Sequence, residues 1–221
     1  MKLLLMDTCG TEGSVALAEG AAVVSSDTLP GRSASERLMP VVREMMRAAG
    51  WRLKELAAIV VVHGPGSFTG VRIGVSAAKG LSEAGGVRVI AVSRLALLAA
   101  AAGEVEGQVC AVLDAGRREF YCGVYDELRC VREALLNAEE VAAAAVGTSA
   151  VVVCEAGVAE VLSALKPQLV AEPVAGDALL FAIERVAAND FDDVATLDAN
   201  YLRRTDAEIF AKQAVSSKAA G

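Results

Sequence analysis

Two aspartates, one histidine and a glycine-rich segment carry most of the chemical promise of this chain. Asp7 follows the apolar run LLLM and Asp114 follows CAVL, so each stands where a strand would run out. A carboxylate placed there can hold a magnesium-bound phosphate through water. It can equally close a local turn by accepting a neighbouring backbone N–H, Asp7 and Thr8 within DTCG and Asp114 within DAGR. The matched placement keeps both readings open. The segment HGPGSFTG, His63 to Gly70, follows an apolar run and precedes a helical pattern. Its backbone N–H groups could face an anion at the positive end of that helix. Gly64, Gly66 and Gly70 lack dinucleotide-binding spacing, and no Gly-Lys-Ser or Gly-Lys-Thr completes a P-loop. That favours a plain turn, stiffened by Pro65 and capped by Ser67 or Thr69.

Much other chemistry is excluded. His63 is the only histidine, so a two-histidine metal site cannot be built, and no metal is expected. GVSAA, Gly74 to Ala78, lacks the second glycine of a nucleophile elbow and falls inside a helical pattern. No catalytic residue is assigned. Cys9, Cys110, Cys122, Cys130 and Cys154 are irregularly spaced with no CxxC pair, which suits reduced thiols in a cytoplasmic protein. A net charge of -7 argues against a chain that holds nucleic acid alone. The amino-terminal MKLLLMDTCG is too short an apolar run for a signal peptide or a membrane span and reads as a first buried strand. No membrane contact is expected.

The elements that must position these residues follow from periodicity. Lys2 to Met6, Ser14 to Glu19 and Ala21 to Ser26 read as three strands, followed by a helix over Ser35 to Ala49. A buried strand at Ala58 to Val62, a helix over Gly70 to Ala84, a strand at Val87 to Val92 and a helix from Arg94 complete the first half. The second half repeats the order. Strands lie at Val109 to Leu113, Glu119 to Tyr125 and Arg129 to Glu133. A helix over Ala138 to Ala145 opened by Asn137, a strand at Val151 to Cys154 and a helix over Ala156 to Leu165 follow. A last helix, Ala178 to Ala188, is capped by Asp177. The fold class is therefore α/β, a duplicated βββαβα unit making two ribonuclease H-like lobes of the actin, hexokinase and Hsp70 (ASKHA) architecture. The boundaries expected are 1–103 for the first lobe, 104–205 for the second and 206–221 for a flexible polar tail.

Gly70, Gly74, Ala78 and Ser82 fall on one face of their helix, where a partner backbone could approach closely, although packing inside the chain is the commoner use. Leu38, Met39, Val42, Met45 and Met46 give the preceding helix a Met-rich face, also open to core or partner.

Several segments together resemble one family: LLLMDTCGTEGSVALAEG at the start, SERLMP at Ser35 to Pro40, HGPGSFTGVRIGVSAAKGL at His63 to Leu81, LDAGRREFY at Leu113 to Tyr121 and YLRR at Tyr201 to Arg204. In the same order they resemble the TsaB (YeaZ) family. The resemblance implies a non-catalytic relative of TsaD, the subunit that transfers threonylcarbamoyl to an adenosine of tRNAs reading codons that begin with A. It also implies partners: a TsaD-like catalytic protein, a TsaE-like ATPase, a second copy of the chain when alone, and tRNA only through the assembly. ATP and magnesium would be used by the assembly, with no cofactor in the isolated chain.

The resemblance further implies that Arg94 and Leu98 stand where the catalytic relative has its two metal-binding histidines. It places pairing on the helices Ser35 to Ala49 and Gly70 to Ala84, with Leu38, Val42, Met45, Met46, Gly70, Gly74, Ala78 and Leu81 as interface residues. Asp7, Thr8 and Asp114 are the candidates for nucleotide contact. Ala34 departs from the family, which commonly has a histidine there. The rival expectation is an independent small-molecule kinase using Asp7 and Asp114 on Mg-ATP and the GPG turn on phosphate.

Overall fold

The computed structural model describes residues 1–202. The expected tail, 206–221, and Arg203 to Thr205 lie outside the described residues. The first half runs β1 (Lys2–Asp7), β2 (Gly13–Glu19), β3 (Ala22–Leu29), α1 (Ala34–Ala48), β4 (Ala58–Val62), α2 (Phe68–Gly85), β5 (Val89–Val92) and α3 (Arg94–Ala100). The second runs β6 (Gln108–Gly116), β7 (Glu119–Asp126), β8 (Arg129–Asn137), α4 (Ala138–Ala144), β9 (Ala150–Val153), α5 (Ala156–Val161), β10 (Gln168–Leu169) and α6 (Leu179–Ala187).

The two halves build the same five-stranded sheet twice, ordered β3-β2-β1-β4-β5 and β8-β7-β6-β9-β10. In each the first three strands form an antiparallel meander and the later two join in parallel, with Leu4 opposite both Leu17 and Ile59, and Ala111 opposite both Gly123 and Val152. β1 and β4 are apolar and buried along nearly their whole length because helices cover both faces of the sheet. β3 is exposed from Ala22 to Thr28, and its Ser25, Ser26 and Asp27 supply the polar side chains that keep an edge strand soluble. β10 spans only Gln168–Leu169, too short to leave a periodic signal, and was not foreseen. The helix expected over Ala156 to Leu165 ends at Val161 and gives way to a short 3-10 turn, Ser163–Leu165, closed by Lys166 at φ 50°.

The two halves exchange their last helices across the expected boundary at 103/104. α3 packs on β6, β7 and β9 of the second sheet, while the turn Ala175–Ala178 and α6 pack on β1, β2, β4 and β5 of the first. The physical reason is that the helix RLALLAA is buried from Arg94 through Ala99 and has no polar face to show to water. It therefore lies between the lobes, and the chain crosses back to cover the sheet it left. Alternation divides the second sheet accordingly. Val109, Ala111, Leu113 and Val152 join the large core, whereas Cys110, Val112, Val151 and Val153 form a separate cluster with α4 and α5. Among the described residues no helix is long and apolar enough to cross a membrane.

Candidate functional site

The carboxyl ends of β1, β6 and β9 open on a common cleft of about 620 Å³, the place where open α/β sheets usually hold ligands. Its lining includes the β1–β2 turn (Thr8, Cys9, Gly10, Thr11, Gly13), Gly31 and Ala34 ahead of and at the start of α1, the start of α2 (Ser67, Thr69, Gly70), Arg94 of α3, Asp114 of β6, Glu155 just after β9, and Glu172 from the crossover after β10.

The glycine segment is held as a turn. Gly64 has φ 103°, in the region that favours glycine, and the Gly64–Pro65 peptide is cis. Ser67 Oγ accepts the Gly70 N–H at 3.3 Å, as an N-cap should, and the Ser67 N–H donates to the Cys9 carbonyl at 2.9 Å. The single histidine stays outside the chemistry: its backbone N–H donates to Val92 and its Nδ1 lies 3.2 Å from the Asp198 carbonyl.

Both aspartates make the local turn that their sequences allowed. Asp7 Oδ1 accepts the Cys9 N–H at 2.7 Å, and Asp114 Oδ1 accepts the Gly116 N–H at 2.8 Å. They differ in setting. Asp114 is exposed, with its own N–H donating to Glu155 Oε2 at 2.8 Å, whereas Asp7 is 2% exposed. Burial pushes the Asp7 carboxyl above its usual range, against the opposing pull of Arg94 and the Cys9 N–H. Burial likewise raises Glu155, and it raises the Cys9 thiol strongly, with Asp7 adding to the effect.

Arg94 decides what this cleft can hold. It is 4% exposed, its Nε lies 3.7 Å from Asp7 Oδ2, and its Nη2 donates to Glu172 Oε1. Burial works against its charge, but Asp7, Cys9 and Glu172 outweigh that and hold the guanidinium protonated. A guanidinium therefore stands beside Asp7 where a divalent cation would have to sit. Thr8 Oγ1 is committed as well, donating to the Gly70 carbonyl at 2.6 Å. Asp7 and Thr8 are thus both engaged by internal partners, while Asp114 stays exposed on the cleft. Among the described residues no group of three or more His, Cys, Asp or Glu could hold a metal ion.

Most of the expected interface residues are taken up inside the chain. Leu38, Val42, Met45, Met46, Gly70, Gly74 and Ala78 are all buried inside the chain, and Leu81 is half-buried. A Cβ on Gly70 would collide with the Thr8 carbonyl, and one on Gly74 would lie 2.6 Å from Thr8 Oγ1. The small-residue stripe lets α2 lie close on the end of β1, so it serves internal packing and is closed to a partner. Helix amphipathicity alone does not say which apolar face meets the core. The outward faces carry Met39, Arg43 and Arg47 on α1 and Phe68, Arg72, Ser76, Gly80 and Glu83 on α2. Arg72 lies over the Phe68 ring at 3.6 Å, and its Nε donates to Tyr201 Oη at 2.6 Å. Glu172, Glu155 and Thr11 were missed at the sequence level. None sits in a motif, and only the crossing of the chain brings them together.

Comparisons with known proteins follow the same lines. The family described as TsaD, tRNA N6-adenosine threonylcarbamoyltransferase, matches residues 28–152. The chain is similar to the tRNA threonylcarbamoyladenosine biosynthesis protein TsaB of Bacillus subtilis, 36% identical over 126 residues, which is 57% of this chain and 55% of that protein. The matched stretch thus spans about half the length of that curated relative. The solved structure of YeaZ from Pseudomonas aeruginosa is 33% identical with a TM-score of 0.76, covering 91% of this chain and 99% of that one. Component A of the (R)-2-hydroxyglutaryl-CoA dehydratase of Acidaminococcus fermentans shares the fold alone, at a TM-score of 0.52 and 13% identity over 85% of this chain and 99% of that one.

Proposed function

Because the chain belongs to the TsaB (YeaZ) family, we propose that it takes part in the synthesis of threonylcarbamoyladenosine on tRNA, as a non-catalytic subunit that binds and activates a TsaD-like catalytic partner. The observation that carries this reading is the buried Arg94, paired with Asp7 at 3.7 Å and with Glu172. The Asp7 carboxylate is committed to an internal ion pair, which favours a contribution made through the chain's surface. ATP, magnesium and tRNA belong to the assembly, which includes a TsaE-like ATPase. A chain of net charge -7 needs a basic partner to approach tRNA. The free cysteines suit the reducing cytoplasm in which such an assembly would work.

Pairing is assigned to the outward faces of α1 and α2, with Met39, Phe68, Arg72, Ser76 and Gly80 exposed. The same face would serve a second copy when the partner is absent, since a self-complementary patch closes on a two-fold axis. A stable complex would bury roughly 1,600 Å² in total.

Gel filtration of the chain mixed with its TsaD-like relative tests the central claim. A complex at micromolar concentration is expected, together with threonylcarbamoyl transfer to tRNA that depends on adding this chain to the relative and the ATPase. Separate elution of the two proteins, or full transfer without the chain, rejects the proposal.

A further inference from the structure

Glu172 stands on the crossover that carries the chain from the second sheet back to the first, with its side chain 43% exposed. Its Oε1 nevertheless accepts the Thr11 N–H at 3.1 Å and a hydrogen bond from Arg94 Nη2. The same cleft is lined by Ser67, Thr69 and Gly70 at the beginning of the 18-residue helix α2. A backbone N–H, a guanidinium and the positive end of a helix are the groups that bind an oxyanion. Arg94 Nη2 and the Thr11 N–H already hold one carboxylate there, that of Glu172.

We propose that this cleft is a binding site for a small carboxylate, and that Glu172 is its tethered ligand, which a free carboxylate must displace. The recognising groups are fixed by the fold: Arg94 is buried at the head of α3, and Thr11 lies in the turn between β1 and β2. The occupying group is an exposed side chain on a connecting segment, so it can withdraw without disturbing either sheet. Asp114 and Glu155 line the same cleft, and their charge favours a monoanion over phosphate. The inference does not depend on the pairing function.

The test uses the full chain and its Glu172→Ala variant, titrated separately with sodium formate, sodium phosphate and sodium chloride at matched ionic strength. The Thr11 amide resonance and the Tm are followed. Formate is expected to move the Thr11 amide of the variant saturably and to raise its Tm, while the intact chain responds little. Glu172→Gln keeps a neutral oxygen toward Thr11 and should respond less than the alanine variant; it also serves if Glu172→Ala does not fold. A Thr11 amide that ignores formate in both variants, or that answers chloride equally, overturns the site. A stronger response to phosphate than to formate overturns the carboxylate assignment.

Discussion

Arg94 Nε lies 3.7 Å from Asp7 Oδ2, with the two side chains 5% and 2% exposed. Removing one member of a buried pair strands the other charge, which typically costs about 3–5 kcal/mol. Arg94→Leu should therefore lower stability by that order, read as the shift in a urea unfolding midpoint. Adding Asp7→Asn should recover part of the loss, because the orphaned carboxylate is then gone. A loss in the double variant equal to the sum of the Arg94→Leu and Asp7→Asn losses would show that Asp7 and Arg94 do not interact.

Two glycines of α2 separate folding from pairing. Gly70→Ala drives a methyl into the Thr8 carbonyl and should destabilise by about 1–3 kcal/mol, as overpacking does. Gly80 is exposed and has open space where a Cβ would go. Gly80→Leu should keep or slightly raise the Tm, because glycine is a poor helix former by about 1 kcal/mol. On the proposed pairing face it should also weaken complex formation in gel filtration. Undiminished pairing would place the contact elsewhere.

Several acidic groups hold their protons longer in the folded chain than in the unfolded one. Burial raises the Cys154 thiol from 9.0 to about 11, with Glu155 adding to it, and burial also raises Cys9 and the Tyr125 phenol. The folded state then binds more protons than the unfolded state from about pH 9 upward, so stability falls as pH rises through that window. Denaturant midpoints that decline between pH 9 and 11 are expected, and a flat profile would contradict the assignment. Iodoacetamide should reach Cys154 slowly at neutral pH and about tenfold faster per pH unit below 11, since the thiolate is the nucleophile.

Glu133 ties together parts of the chain that the exchange of helices brings near each other. Its Oε1 accepts from Ser93 Oγ and Tyr125 Oη, and its Oε2 accepts from Asn200 Nδ2 at 2.6 Å. Asn200 in turn donates its backbone N–H to the His63 carbonyl at 2.8 Å, beside the glycine turn. Glu133→Ala should cost about 2 kcal/mol or more, the scale of hydrogen bonds to a charged group. Hydrogen exchange at the Asn200 amide should also accelerate. An unchanged exchange rate there would mean that the glycine turn is held without Glu133.

The sequence alone determined what depends on neighbours along the chain. Continuous apolar runs specified β1 and β4, helical spacing specified α1 and α2, and Ser67 and Asn137 marked helix starts because a cap bonds within three residues. The Asx turns at Asp7 and Asp114 were legible for the same reason. The tertiary structure alone decided which residues meet across long stretches of chain. Glu172 reaches a donor 161 positions away in Thr11 and one 78 positions away in Arg94. It alone showed that α3 and α6 change places, and that the glycine face of α2 turns inward onto Thr8. Periodicity tells that a helix has an apolar face. Packing decides what that face covers.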